Sequence, residues 1–317
     1  MRALLIVNPH ATSTTRLRRD VIARALASAV ELEVVETRYR GHGTSLAADA
    51  ASAGYGLVIT LGGDGTVNEA VNGLLRGSRR PAAAPALAAL PGGSANVFAR
   101  SLGLAPDPVD ATGQVLSALT AGRFRSIGLG LADDRYFTFN SGMGLDAEVV
   151  RAVEGRRAHG RSVSPALYMR MAGRQFWRLT DRRTPAMHLA SPGPDGPDGP
   201  ESPDGPLFWC TVSNTSPWTY VGRRPVQTNP EASFDAGLDV FGLGSLGTAR
   251  TLSILRQMLS ERQAGPPRGR GVVTAHNLAV LSLTADRPVA FQIDGEYVGE
   301  RERVSFRSVP DALRVVM

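Results

Sequence analysis

Residues 57–69 of this chain could hold a phosphate. They join an apolar run, Leu57-Val58-Ile59-Thr60-Leu61, to a glycine turn, Gly62-Gly63-Asp64-Gly65, and then to a helix-compatible stretch, Thr66-Val67-Asn68-Glu69. Gly62, Gly63 and Gly65 permit positive φ and close backbone approach, so that successive N–H groups and a helix N-terminus can face an anion. Asp64 is out of place beside a bare phosphate. Its carboxylate would repel one unless a divalent cation lay between, so the turn points to a metal–nucleotide complex. A glycine-rich strand-to-helix turn can also serve chain geometry alone, and the short motif by itself does not decide.

The lysine-dependent phosphate sites are excluded, because all 35 basic residues of the 317 are arginine. A P-loop needs Lys after its glycines and a protein-kinase site needs one on a strand. The dinucleotide spacing G-x-G-x-x-G is also missing. Asp294-Gly295-Glu296, late in the chain, offers two more carboxylates. Flanked by apolar residues, its Asp-Gly pair is first of all a hairpin signal.

These groups need a scaffold. The length allows two domains with their own cores, and 43% hydrophobic content with alternating patterns reads as α/β material. The net charge of +6 favours anionic partners without separating nucleotide, nucleic acid and membrane. A single Cys210 excludes an intramolecular disulfide and suits a reducing cytoplasm. No apolar run reaches the ~18 residues of a membrane span, and Met1–Pro9 reads as a first strand rather than a signal peptide.

The first third alternates strand and helix. Leu17, Val21, Ile22, Ala25, Leu26 and Ala29 recur at helical spacing. Strands are expected at 32–37, 57–61 and 87–90, and helices at 47–53 and 97–102. The strand at 87–90 ends in a second glycine turn, Pro91-Gly92-Gly93-Ser94-Ala95-Asn96. In a parallel sheet the turns at Asn8, Thr37, Gly62–Asn68 and Gly92–Asn96 would share the carboxyl edge. From about Arg123 short strands dominate, at 124–131, 135–140, 207–214, 277–283, 289–293 and 303–307, with helices at 145–156, 165–179 and 248–263. Residues 191–206 form a Pro/Gly/Asp tract expected to be a mobile loop.

These motifs, in this order, resemble the diacylglycerol kinase family: Gly62–Glu69, Pro91–Arg100, Gly142-Met143-Gly144-Leu145-Asp146-Ala147 and Asp294-Gly295-Glu296. The chain is similar to the bacterial soluble lipid kinases, relatives of sphingosine and ceramide kinases. The first motif alone is shared with NAD kinases and resembles phosphofructokinases. The resemblance implies a Rossmann-like α/β nucleotide domain at 1–123 and a C-terminal β-sandwich at 124–308. Residues 309–317 would return as a strand to the first domain, and the site would lie in the interdomain cleft. ATP would be held by Asn8, Thr37, Gly62, Gly63, Asp64, Gly65, Thr66, Val67, Asn68 and Ser94, with Asp64 acting through Mg²⁺. Asp294 would be the general base, Glu296 would help hold the active metal, and Asp146 would bind the acceptor lipid. Aligning Leu238-Asp239-Val240 with the end of a family metal motif puts Asp235 and Gly237 at a structural Mg²⁺ site, against the alternative of an exposed turn with solvated carboxylates.

The second turn departs from the family. Gly93-Ser94-Ala95-Asn96-Val97 keeps a hydroxyl but lacks the Asp usual at its last position. The implied reaction is phosphoryl transfer from ATP to a lipid hydroxyl, with diacylglycerol as the leading acceptor. NAD kinase-like chemistry on a soluble acceptor and a catalytically silent, membrane-associated nucleotide binder are the alternatives. Arg151–Arg183 is rich in arginine, with Leu167, Tyr168, Phe176 and Trp177 among them. Such a stretch suits an anionic membrane surface, or else a core helix with a solvated face. The expected partner is therefore a lipid, met by transient peripheral contact at the inner face of the membrane. No nucleic-acid partner is expected, and a homodimer is left open.

Overall fold

The computed structural model describes residues 1–76, 84–157, 171, 173–174, 184–190, 205–260 and 265–317. The expected helix at 165–179 and the loop at 191–206 lie almost wholly outside these residues. The chain divides into two compact units: Met1–Leu129 with Pro310–Met317, and Gly130–Val309.

Unit 1 is a parallel sheet with helices. Strands β1 (Arg2–Val7), β2 (Glu31–Glu36), β3 (Leu57–Gly62) and β4 (Ala86–Pro91) lie in the order β4-β3-β1-β2, all parallel. Every residue of β3 and β4 is buried, as a sheet covered on both faces requires. Helices α1 (Arg16–Ala27), α2 (His42–Ser52), α3 (Asp64–Leu74), α4 (Val97–Ser101) and α5 (Pro108–Thr120) join or follow these strands. Sequence patterning had not separated α5, although its signals are local: Asp107 accepts from Val109 N at 2.8 Å and Pro108 takes the first helical position.

The chain runs from β1 to β2 on one side and returns to β3 on the other. The direction of winding therefore reverses between β1 and β3, where the crevice outside the strand ends is the usual ligand position.

Unit 2 is mainly antiparallel β. Strands β7 (Asn140–Gly144), β9 (Trp209–Ser213), β12 (Leu238–Leu243), β13 (Val272–Leu278), β14 (Val280–Ile293) and β15 (Glu296–Val316) pair in the order β13-β12-β9-β7-β14-β15. Two further segments flank them: β5 (Phe124–Ala132) pairs with β6 (Arg135–Phe137), and β8 (Met187–Ala190) pairs with β14. A two-stranded ribbon, β10 (Thr219–Val221) with β11 (Arg224–Val226), stands apart. Alternation splits the central strands between two cores. Cys210, Val212, Leu238 and Val240 join Phe291, Ile293 and Phe306 on one face. Trp209, Phe241 and Leu243 face the other way, onto Leu145, Val149 and Val153 of α6 (Leu145–Arg157) and Ile254 and Met258 of α7 (Thr248–Met258).

The strands expected separately at 303–307 and near the C-terminus are one continuous strand, β15. Its first part pairs with β14, and Val315 pairs in parallel with Leu87 of β4.

Candidate active site

The unit 1 site is built from two glycine turns that pack backbone against backbone. Gly92 N donates to Gly62 O at 2.7 Å. A Cβ on Gly92 would lie 2.9 Å from Gly62 Cα, one on Gly93 would lie 2.6 Å from Gly63 Cα, and one on Gly62 would meet Thr66 Oγ1 at 2.5 Å. None of Gly62, Gly63 or Gly65 takes a positive φ. Close approach, rather than unusual dihedrals, is why these turns need glycine.

Gly65 differs from its neighbours. It is exposed in the first turn of α3, its φ is ordinary, and a Cβ there would touch nothing within 4 Å. No side chain caps this helix at Gly63, so backbone donors remain at an N-terminus suited to an anion. An open place beside uncapped helical N–H groups is the feature expected of a phosphate cradle.

Around it, the other unit 1 residues are bound into the frame. Asn8 N continues the strand ladder to Leu61 O (2.9 Å), and its Nδ2 donates to Thr66 Oγ1 (3.3 Å). Thr37 N donates to Val7 O at 2.8 Å at the end of β2. Asp64 Oδ1 accepts from Phe98 N (3.1 Å), which ties the first turn to α4. In the second turn, Asn96 in a left-handed conformation braces Gly93, accepting from its N and donating to its O at 2.8 Å each. Ser94 is exposed beside them. Thr66, Val67 and Asn68 are buried; Asn68 Oδ1 accepts from Asn72 Nδ2 at 3.2 Å. Glu69 fixes the start of α2, accepting from Gly41 N (2.7 Å) and Gly43 N (2.9 Å).

In unit 2 the turn after β14 carries Asp294 in a left-handed conformation, 4% exposed. Its carboxylate accepts four hydrogen bonds: Oδ2 from Thr138 N (2.8 Å) and Thr138 Oγ1 (2.9 Å), Oδ1 from Phe139 N (3.0 Å) and Asn140 N (3.3 Å). Glu296 forms an ion pair with Arg135. Asp146, in the first turn of α6, is 5% exposed, and its Oδ2 accepts from Gln292 Nε2 at 2.8 Å. Burial pushes its carboxyl up to about 6, against the opposing pull of the Gln292 hydrogen bond.

Near β12, Asp235 is exposed, while Gly237 serves the strand approach: its N donates to Asn277 Oδ1 (2.7 Å) and a Cβ would lie 2.7 Å from Leu278 O. The buried carboxylate here is Asp239, which binds the His276 ring (2.9 Å) and Asn277 N (2.9 Å) and so raises the His276 pKa. Among the described residues, no three His, Cys, Asp or Glu side chains gather as a metal cage.

A family model described as the diacylglycerol kinase catalytic domain matches residues 2–130, ending where unit 1 gives way to unit 2. Unit 1 thus matches the diacylglycerol kinase catalytic-domain model.

The protein named probable lipid kinase YegS-like from Chromohalobacter salexigens is 35% identical over 148 residues, 47% of this chain and 45% of that protein. The diacylglycerol kinase of Bacillus subtilis is 32% identical over 160 residues, 49% of this chain and 50% of the relative. The chain thus matches about half the length of these relatives. A crystal structure of a diacylglycerol kinase from Bacillus anthracis strain Sterne superposes with a TM-score of 0.68 at 19% identity, covering 99% of this chain and 96% of that one. An NAD kinase from Archaeoglobus fulgidus, solved with ATP, reaches 0.52 at 12% identity, covering 100% and 94%. Both show the fold alone.

Sequence reasoning did not find the partners that hold the unit 2 residues: Thr138, Asn140, Gln292 and Arg135. None belongs to a motif. The one local signal was Gln292, a polar residue inside the apolar stretch Val289-Ala290-Phe291-Gln292-Ile293, where a buried polar side chain must find partners.

Proposed function

We propose that this chain is an ATP-dependent kinase that transfers the γ-phosphoryl group to a lipid hydroxyl, with diacylglycerol as the leading acceptor. The observation that carries the reading is Gly65: an exposed helix-start glycine that neither φ nor protein packing requires, within a diacylglycerol kinase catalytic domain. The names of the relatives support the lipid as acceptor.

In this reading the N-terminus of α3 receives the phosphates, Asn8 and Thr37 border them, and Ser94 reaches them from the second turn. Asp64 is the unit 1 carboxylate that would hold magnesium, which when bound offsets the charge of the phosphates. A carboxylate outside any three-ligand cage among the described residues fits an ion that arrives with the nucleotide. With no lysine in the chain, arginines and backbone amides provide the remaining positive field.

Asp294 takes the alcohol proton as the new oxygen–phosphorus bond forms and ADP leaves. Its four donors fix the carboxylate. Three of these are backbone N–H groups, and the Thr138 hydroxyl can rotate to release a lone pair. Asp146 binds the acceptor head group, and the protein works by transient contact with the inner face of a membrane. No described helix is long and apolar enough to cross one.

The test is transfer of labelled phosphate from ATP with Mg²⁺ to mixed micelles of diacylglycerol, ceramide, sphingosine or phosphatidylglycerol, with NAD as a soluble acceptor. Product identification by mass spectrometry should show a phosphorylated lipid. Transfer to no lipid defeats the reading, and transfer to NAD alone replaces it.

A further inference from the structure

Gln292 sits where the parts of the unit 2 site meet. It is 1% exposed and lies at a register shift in the β14–β15 pairing, where Phe291 faces Gly299 but Gln292 faces Tyr297. Such a bulge re-aims a side chain relative to a regular strand. Both N–H donors and the oxygen of its amide find partners inside the protein. Nε2 donates to Asn140 Oδ1 (2.9 Å) and to Asp146 Oδ2 (2.8 Å), and Oε1 accepts from Gly295 N (2.8 Å). The amide orientation is fixed, because the opposite one would set an oxygen against two oxygens.

Asn140 carries the connection onward. Its Nδ2 donates to Trp218 O (2.7 Å), its backbone O accepts from Asp294 N (2.8 Å), and its N reaches Asp294 Oδ1. A single buried side chain therefore joins the first turn of α6, the start of β7 and the Asp294-Gly295-Glu296 turn. A second strut runs from the far end of the helix, where Glu154 Oε1 accepts from Tyr297 N at 3.2 Å.

We propose that Gln292 is a positioning residue that holds the Asp294-Gly295-Glu296 turn in register with Asp146, so that the acceptor alcohol meets the transfer carboxylates in one geometry. This rests on the kinase reading above. Neighbouring residue types cannot do it. Leu would leave an amide N–H, an amide oxygen and a carboxylate oxygen without this partner, in a site too buried for water to replace it freely. Glu would present an acceptor to two acceptors. Asn is one methylene short.

The experiment compares wild type with Q292L and Q292N in steady-state kinetics and in hydrogen–deuterium exchange of the peptide spanning Gly295. In Q292L, kcat on the preferred lipid should fall on the order of 10²-fold, the scale of an ångström's misplacement of a reacting group. The KM for ATP should hold, and exchange should quicken around Gly295 while unit 1 peptides stay unchanged. A fall in kcat matched by weaker ATP binding, or unaltered exchange at Gly295 in a folded variant, overturns the proposal. Should Q292L fail to fold, Q292N carries the same two readouts. A wild-type chain that phosphorylates no lipid defeats the kinase reading, while the exchange comparison still decides whether Gln292 holds the turn.

Discussion

Replacing Asp146 by Asn isolates the consequence of burying an ionisable group. The carboxyl lies 5% exposed with one hydrogen bond, from Gln292, and burial raises its pKa from 3.8 to about 6. A group raised in the folded state binds its proton more tightly there, so it holds folded chains together at low pH. That stability is lost as the pH climbs from the unfolded value through the folded one. The full swing, about two pKa units, is worth about 3 kcal/mol. Between pH 5 and pH 7.5 the wild type should lose on the order of 1 kcal/mol through this one group, because at pH 5 only the unfolded chain is mostly ionised. D146N keeps an oxygen for Gln292 Nε2 and has no proton to exchange. Urea unfolding at both pH values should therefore show D146N gaining on the order of 1 kcal/mol on wild type from pH 5 to pH 7.5. A difference that stays flat with pH refutes the reasoning, since it would mean that Asp146 titrates alike in both states.

Gly65→Ala should raise stability by about 0.5–1 kcal/mol, since the helix gains a better former at a place with room for its methyl, yet it should weaken nucleotide binding measured by calorimetry. Gly93→Ala should do the reverse in thermal unfolding, costing about 1–3 kcal/mol, because its Cβ would lie 2.6 Å from Gly63 Cα. Cys210 is fully buried and its thiol is pushed up to about 12, so iodoacetamide should leave the native chain unlabelled and modify it only once unfolded.

The glycines show how far the sequence could be read. The motif placed Gly62, Gly63 and Gly65 at a strand-to-helix turn, and they stand there. It could not say which glycine answers to what, since that depends on the second turn, some thirty residues away. Gly62, Gly92 and Gly93 are required by one another and by Thr66; Gly65 alone is left for a ligand. Strands β1, β3 and β4 of unit 1 were legible because their apolar runs are continuous and end in turns. The β14–β15 bulge at Gln292 was not, because a one-residue slip in pairing leaves no mark on local periodicity. The same holds for Asp239, whose partner His276 is brought beside it by long-range strand pairing.

Asp294 and Glu296 share a turn, and the structure gives them different company, which makes their roles separable. Glu296 faces a cation, Arg135, whereas Asp294 accepts from three backbone N–H groups and from the Thr138 hydroxyl, a donor that can move. T138V removes that hydroxyl while keeping shape and the backbone N–H, and leaving a buried carboxylate short of one donor should cost about 1–3 kcal/mol in unfolding experiments. Hydrogen bonds to a carboxylate favour its ionised form, so losing one makes the proton harder to remove. If Asp294 accepts the alcohol proton, the acid limb of the kcat profile of T138V moves to higher pH, because the base must be ionised to act. We expect that movement. An acid limb that stays in place in T138V, together with one abolished in E296Q, would transfer the base role to Glu296 and leave Asp294 as the anchor that its four hydrogen bonds already make it.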